Sequence, residues 1–245
     1  MSTSDLQPLS PEDTFCFDCH PGLPCFNQCC RDLNQALTPY DIVRMRAHLH
    51  MTSGQFMQTY TTAHTGPTTG LPIVSLCFSS RPGQTCPFVS PDGCRIYAAR
   101  PSSCRLYPLA RALHRSRSNG RLSEHYAIIR EPHCQGFEQK RRQNIRQWIA
   151  SQELDVYNTM NDRLMQLISL KNRLRPGPLS PDHQQWAMMA LYDLDTLKAR
   201  AVSGRLPELD QNHLQPLPPR MDDEAWLRWS MEWIRTVLFG DIKIE

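Results

Sequence analysis

The sequence has no long apolar run, and its first residues lack the features of a secretion signal. Nowhere do about 18 apolar residues follow one another without interruption, the length that a membrane-spanning helix requires. Residues 1–7 contain neither a basic segment nor an apolar one. Export and membrane insertion are therefore not expected, and a cytoplasmic location is.

The sequence also lacks the common signatures of catalysis and of nucleotide binding. It contains no Gly-rich nucleotide loop, no P-loop, no H-E-x-x-H segment and no evident Ser/His/Asp arrangement. The formal net charge is only +3, and no RNA-binding aromatic motif interrupts the basic runs 111–121 and 140–146. Nucleic acid is therefore not an expected partner, and any enzymatic role would have to act through a bound metal.

Cysteine is the residue type that stands out. All ten cysteines precede residue 135, whereas all five tryptophans follow it. In a reducing compartment thiols stay free unless a metal or catalysis uses them. Soft thiolates favour zinc and iron-sulfur clusters, and loops with Gly and Pro let several sulfur atoms converge. The sequence thus predicts a site for zinc or an iron-sulfur cluster, of which 4Fe-4S is one form.

The spacing of the first cysteines raises a question about the number of centres. Residues 19–30 contain four thiols, and Cys29 and Cys30 are adjacent. Adjacent residues of an extended chain point in opposite directions, so this pair shares one centre only through a bend, or else serves two centres. The spacings do not match those of ferredoxins, radical-SAM enzymes or zinc ribbons.

The composition changes near residues 135–143, where short apolar runs broken by Pro, Gly and Ser give way to long stretches with helical spacing. We expect an α+β fold with a small, irregular, cysteine-rich module of short strands and helices over residues 1–137. An all-helical region of three or four helices then covers residues 138–245. A tryptophan stripe near its end is typical of internal packing, and a docking surface for a protein partner is the alternative.

Local signals place several elements within these regions. Thr38 followed by Pro39 predicts a helix start, and Pro91-Asp92-Gly93 predicts a tight turn that brings Cys86 towards Cys94. The other predicted elements are a helix from Ser53, a strand at Pro72–Phe78, a hairpin of Leu109–His114 with His125–Ile129, a helix from Ser180 that includes Leu194, and a final helix with Trp226, Trp229 and Trp233 that ends at Gly240.

The cysteine-rich part resembles the cysteine-cluster family named for the YkgJ protein, which is described as zinc- or iron-chelating and has a CxxCxxCC signature. The resemblance covers about residues 19–108 and extends to Cys134 at most. The matching features are the paired cysteines, Leu-Thr-Pro-Tyr-Asp-Ile at residues 37–42, Cys86-Pro87-Phe88, Gly93–Tyr97, Arg100-Pro101 and Cys104–Pro108. The chain departs from the family pattern by having five residues between Cys19 and Cys25 and three between Cys25 and Cys29.

The resemblance implies a set of metal ligands and leaves the role of the metal open. The implied ligands are Cys25, Cys29, Cys30, Cys86, Cys94 and Cys104, with Cys19 and Cys134 as additions. Which of them share a centre stays open, and arginines 95, 100 and 105 could donate hydrogen bonds to the thiolates. In one interpretation the metal only stabilises the fold, and the stabilised domain can then serve to bind a protein partner. In another, an iron-sulfur cluster makes the protein an oxidoreductase. A third possibility is an enzyme like the flagellin lysine N-methylase, which shares this domain.

Overall fold

The structure is a computed structural model that describes residues 6–31, 34–78, 85–115, 122–207, 217 and 222–240. The strands are β1 Leu6–Leu9, β2 Thr14–Cys16, β3 Ala36–Leu37, β4 Thr61–Thr65, β5 Pro72–Leu76, β6 Val89–Ser90, β7 Gly93–Cys94, β8 Leu109–Arg115, β9 Leu122–Ile129 and β10 Arg142–Asn144. The helices are α1 Pro39–His48, α2 Ser53–Tyr60, α3 Ser102–Leu106, α4 Ile145–Ser151, α5 Leu154–Leu174, α6 Pro181–Tyr192, α7 Leu194–Val202 and α8 Asp223–Phe239. The α+β class is confirmed, with short sheets and, after the last strand β10, the run of helices α4 to α8.

The chain forms two compact units, each made of two separate segments. Unit 1 comprises Met1–Leu33 and Ser79–Val156, and unit 2 comprises Asn34–Phe78 and Tyr157–Glu245. This division differs from the contiguous regions 1–137 and 138–245 expected from composition, because the chain leaves unit 1 and later returns to it. All of the candidate ligands lie in segments of unit 1.

The described part of unit 1 combines small antiparallel sheets with a core rich in aromatic side chains. Its sheets have the strand orders β1-β9-β8, β10-β2 and β6-β7. The ring of Phe17 lies edge-on to Phe137, with centroids 5.1 Å apart, and to Trp148 at 5.5 Å. The Trp148 indole donates a hydrogen bond to the Leu106 carbonyl at 2.9 Å. The buried members of this core are Phe15, Phe17, Leu109, Ile128, Ile145 and Trp148. Ile145 and Trp148 are part of this core, so residues 142–151 belong to unit 1, although they follow the boundary expected after residue 137.

Both predicted hairpins of unit 1 are confirmed. In the first, Val89 pairs with Cys94, and Ser90 pairs with Gly93, whose φ of 120° is one that glycine adopts readily. In the second, β8 pairs with β9 over its whole length, while the predicted Asn-Gly turn at residues 119–120 lies outside the described residues.

Unit 2 packs α1, α2 and the sheet β3-β5-β4 with the C-terminal helices. Thr38 caps α1 as predicted, accepting a hydrogen bond from the Asp41 N–H. The Ser53 hydroxyl donates to Asp193 at 2.8 Å and so ties the start of α2 to the α6–α7 junction. In α8, Trp226 and Trp233 are buried, and Trp229 is half-buried. The tryptophan stripe is thus used largely for internal packing.

The helical part differs from expectation in one junction. We predicted a single helix from Ser180 that includes Leu194, but α6 ends at Tyr192 because Asp193 leaves the helical conformation and caps α7 through the Thr196 N–H. From residue 138 onward the described residues form α4 to α8, so the expectation of three or four helices was too low. The end of α8 before Gly240 is confirmed, and most of the Pro-rich connector 204–219 lies outside the described residues. Nothing helical in the described ranges has the length and apolar character to cross a bilayer.

Candidate metal centre

Consecutive turns bring together the four thiols of residues 19–30. Backbone hydrogen bonds between positions three apart run from Leu23 to His20, from Phe26 to Leu23 and from Gln28 to Cys25. Asn27 has a φ of 68°, a left-handed conformation that Asn tolerates better than most side chains, and it precedes the short 3-10 helix Gln28–Cys30. These turns supply the bend that adjacent cysteines need in order to share a region of space.

Two contacts join this loop to the second group of cysteines. The Cys86 N–H donates to the Cys30 carbonyl at 2.9 Å, and the Asn27 amide donates to the Ser90 carbonyl at 3.0 Å. The β6-β7 hairpin then returns the chain so that Cys94 lies opposite Val89, whose own N–H donates to the Cys86 carbonyl. Cys86 therefore lies close to Cys30, and the hairpin brings Cys94 towards Cys86, as the Pro-Asp-Gly turn predicted.

A separate set of contacts brings Cys134 to Cys25. The Gln135 N–H donates to the Cys25 sulfur at 3.3 Å. The Asp18 N–H donates to the Gly136 carbonyl at 3.1 Å, which places Cys19 next to the same turn. Gly136 allows this close approach, since a Cβ atom there would lie 2.6 Å from the Phe17 ring.

The thiols of the first loop and Cys134 lie within electrostatic range of one another. Burial, followed by Cys29, Cys25 and Cys134, raises the pKa of Cys19 to about 11. Burial also raises the pKa of Cys134, and Cys25 and Cys29 add to that rise. Neighbouring thiols act in this direction because each new negative charge is opposed by those already present.

The remaining thiols affect one another in the same way. A hydrogen bond from the Cys30 thiol lowers the pKa of Cys29 to about 7, and the same bond raises that of Cys30, as do burial, Cys86 and Cys104. Burial and then Cys94 raise the pKa of Cys86. Burial also raises that of Cys94, with a smaller contribution from Cys29.

Backbone contacts thus link the loops that carry Cys30 and Cys86 and those that carry Cys25 and Cys134, and the candidate ligands are partly accessible. Cys19, Cys29 and Cys104 are exposed, and the other five are half-buried, so an ion can reach them from solvent. As they are placed, no three His, Cys, Asp or Glu side chains in the described ranges form a group able to hold a metal ion. The thiols share a region without converging on one point. The remaining two cysteines lie elsewhere, Cys16 exposed in β2 and Cys77 in unit 2.

The arginines of the motif bind backbone carbonyls. Arg95 donates to Pro87 and Arg100 to Tyr97, and the buried Arg105 donates to the carbonyls of Arg100 and Gln152. Arg100 and Arg95 nevertheless favour the thiolate form of Cys94, against the larger effect of its burial. Their main role is therefore to hold the loops that carry Cys94 and Cys104, and their charges act at longer range.

The histidines next to cysteines are directed elsewhere. The Nδ1 atom of His20 accepts a hydrogen bond from the Gly22 N–H at 3.2 Å, and His133 lies 3.5 Å from the Glu131 carboxylate. Both side chains are exposed. The donor set in this region is therefore dominated by sulfur.

Tyr107 is a residue of the site that the sequence analysis did not single out. Its hydroxyl oxygen is buried and makes no hydrogen bond of acceptable geometry within the described residues. Burial, and then the neighbouring Cys134 and Glu131, raise its pKa. An orphaned hydroxyl beside a thiol fits a bound metal, because metal binding turns that thiol into a thiolate that accepts a hydrogen bond. The sequence feature that could have identified Tyr107 is its position in the Cys104–Pro108 segment, which matches the family motif.

Comparison with known proteins gives one match. Residues 18–135 match the sequence profile of the CxxCxxCC family, described as a putative zinc- or iron-chelating domain. No curated protein and no solved structure matched the chain. The matched range begins one residue before Cys19 and ends one residue after Cys134, so it contains all eight gathered thiols. Residues 18–135 thus carry the likeness to the CxxCxxCC family that the cysteine-containing motifs indicated.

Proposed function

We propose that unit 1 chelates zinc or iron through the gathered thiols and that the metal holds its loops together. The proposed ligands are Cys19, Cys25, Cys29, Cys30, Cys86, Cys94, Cys104 and Cys134. The observation that carries the proposal is that hydrogen bonds join cysteine-bearing segments far apart in the sequence, from the Cys86 N–H to the Cys30 carbonyl and from the Gln135 N–H to the Cys25 sulfur. Soft thiolates of this density are typical ligands of zinc and of iron-sulfur clusters.

The local structure explains why a metal would stabilise this unit. The segments that carry the thiols consist of turns, a two-residue hairpin, short 3-10 helices and the five-residue helix α3. Such segments contain few regular backbone hydrogen bonds, so ligand bonds are an effective means of fixing them. Binding requires the thiol groups to turn towards one another about their Cα–Cβ bonds, since they do not form a cage as placed.

Charge balance also favours a cation at this site. Several thiolates held close together repel one another, and a divalent or cluster-bound metal offsets that repulsion. Arg95 and Arg100 supply positive charge at longer range, but their donors are used on backbone carbonyls. We place the protein in a reducing compartment such as the cytoplasm, because the ten cysteines form no disulfide among the described residues.

The test is a metal analysis of the full chain purified anaerobically without a metal-binding tag. Iron together with acid-labile sulfide and a visible absorption band would identify an iron-sulfur cluster, and colourless protein with zinc would identify a zinc site. The variant Cys86→Ser should lower the metal content, whereas the control Cys77→Ser should not, because Cys77 lies in unit 2. Metal-free protein from an anaerobic preparation that also fails to take up added zinc or iron would refute the proposal.

A further inference from the structure

We propose that the edge strand β4, Thr61–Thr65, pairs with the same strand of a second copy of this chain. The two β3-β5-β4 sheets thereby form one continuous sheet across a twofold axis. β4 belongs to unit 2 and all candidate metal ligands belong to unit 1, so this pairing does not depend on the proposed metal site.

One edge of β4 is used by β5, and every second residue of β4 supplies the hydrogen bonds. In an antiparallel pair, the N–H and C=O groups of alternate residues point to the neighbouring strand. Just before β4, the Tyr60 carbonyl accepts a hydrogen bond from the Cys77 N–H at 2.8 Å. The register of β4 with β5 continues from this pair without a break, so Thr62 and His64 direct their backbone groups to β5.

The other backbone groups of β4 face away from β5. They belong to Thr61, Ala63 and Thr65. The Thr61 N–H confirms this direction, because it donates to the Met57 carbonyl at the end of α2. No described residue bonds to the outward N–H and C=O groups of Ala63 or Thr65. All side chains from Thr62 to Thr65 are exposed, so in the described part of the chain this edge is open to another strand.

β4 lacks the features that protect the other long edge strands. Among the described strands, β1, β4 and β8 are the edge strands with four or more residues. β1 contains Pro8, which has no N–H to donate, and β8 contains Arg111 and Arg115. Proline and charged side chains are common means by which an edge strand avoids pairing with another chain. Residues 61–65 contain no proline and no Lys, Arg, Asp or Glu, as is typical of a strand that pairs with a partner.

The sequence of β4 is complementary to itself, which favours a second copy as the partner. In an antiparallel pair about a twofold axis at Ala63, this residue lies opposite its counterpart, and their outward N–H and C=O groups bond to each other. Thr61 then lies opposite Thr65, which is a favourable cross-strand pair. Thr62 lies opposite His64, so no two like charges meet. The short side chain of Ala63 allows the two strands to approach closely at the axis.

The test is the concentration dependence of the mass of the full chain, measured by sedimentation velocity. We expect a monomer–dimer equilibrium whose Kd rises at least about tenfold in Ala63→Lys, because two like charges then lie opposite each other at the axis. The control is Ala112→Lys, which adds the same charge at an exposed position of β8 and should leave the equilibrium unchanged. A chain that stays monomeric up to about 1 mM would overturn the inference, and so would a dimer that Ala63→Lys does not weaken.

A second variant and hydrogen exchange locate the contact. Because the Ala63 N–H points away from β5, Ala63→Pro removes a donor of the proposed contact and leaves the bonds between β4 and β5 in place. It should weaken the dimer with unchanged far-UV circular dichroism. In the unmodified chain, amide protection at Ala63 and Thr65 should rise with protein concentration. Protection that rises elsewhere but not in residues 61–65 would show a different interface and overturn the inference. This measurement needs no substitution, so it decides the question if either variant unfolds.

Discussion

Unit 2 buries long helices against one another, whereas the described part of unit 1 has a cluster of six buried residues, three of them aromatic, and eight candidate cysteines that are exposed or half-buried. Helices such as α5 and α8 satisfy their backbone internally and bury whole faces. The thiol-bearing loops of unit 1 have only single turns and bury separate apolar side chains such as Leu23, Phe88 and Ile96. The comparison suggests that unit 2 is stabilised by apolar burial and that part of unit 1 depends on metal binding.

The largest expected effect is that of metal removal. Chelation should release amide protection in the loops 19–31 and 85–104 and leave the protection of α6 and α8 nearly unchanged, because unit 2 contains no proposed ligand. Hydrogen exchange with mass spectrometry on the metal-loaded and chelated chain measures both regions at once. Equal loss of amide protection in the two units would contradict the expectation that metal binding stabilises unit 1 and not unit 2.

A substitution in the core of unit 2 should have the opposite pattern: lower stability with unchanged metal content. Trp233 is 1% exposed, and Trp233→Ala should lower the free energy of unfolding by about 3–5 kcal/mol through lost burial and a residual cavity. Its metal content per folded chain should not change. Denaturant unfolding and elemental analysis measure the two quantities, and the exposed Gln185→Ala in α6 serves as control, with an expected effect within about 0.5 kcal/mol. Loss of metal in the folded Trp233 variant would contradict the expectation that unit 2 takes no part in metal binding.

A smaller effect is expected where the aromatic core of unit 1 meets the metal centre. In Gly136→Ala the new methyl group would lie 2.6 Å from the Phe17 ring and 2.8 Å from the Asp18 carbonyl. We expect a destabilisation of about 1–3 kcal/mol from overpacking, together with weaker metal binding because Cys134 is displaced. Thermal unfolding and a chelator competition assay measure these effects.

The matched control for that change is Gly54→Ala in α2, where the added methyl group would meet nothing within 4 Å. It should be neutral or stabilising by up to about 1 kcal/mol, with unchanged metal affinity. If both glycine variants behave alike, close packing at Gly136 is not what positions Cys134.

The smallest expected effect concerns the orphaned hydroxyl of Tyr107. Tyr107→Phe removes a donor that we expect to bond to the Cys134 thiolate when metal is bound, so it should weaken metal binding by about 1 kcal/mol, or about fivefold in Kd. The metal-free chain should be as stable as before or slightly more so. Chelator competition gives the affinity, and Tyr97→Phe, at an exposed ring, is the control. Unchanged affinity would exclude this donor.

Sequence reasoning was most successful where the signal is local. The cap at Thr38, the turn at Pro91-Asp92-Gly93 and the last helix before Gly240 all follow from the conformational preferences of a few adjacent residues. The approach of Cys86 to Cys94 followed from the turn between them. These features required no knowledge of the rest of the chain.

The features that escaped prediction depend on contacts between distant segments. The alternation of the chain between units depends on pairs such as β10 with β2 and Ser53 with Asp193, which leave no periodic pattern in the sequence. The break at Asp193 was missed because the apolar spacing continues through it. Tyr107 reads as an ordinary apolar position until the fold places its hydroxyl beside Cys134.

The path of the chain through the units has a consequence for biosynthesis. Cys30 and Cys134 lie on opposite sides of the inserted segment Asn34–Phe78, so the first thiols leave the ribosome well before their partners. At about 5–20 residues per second the delay is on the order of ten seconds. During that interval the four thiols of residues 19–30 lack the partner segments to which the folded unit joins them. The proposed metal site is therefore complete only after the second segment of unit 1 has been synthesised.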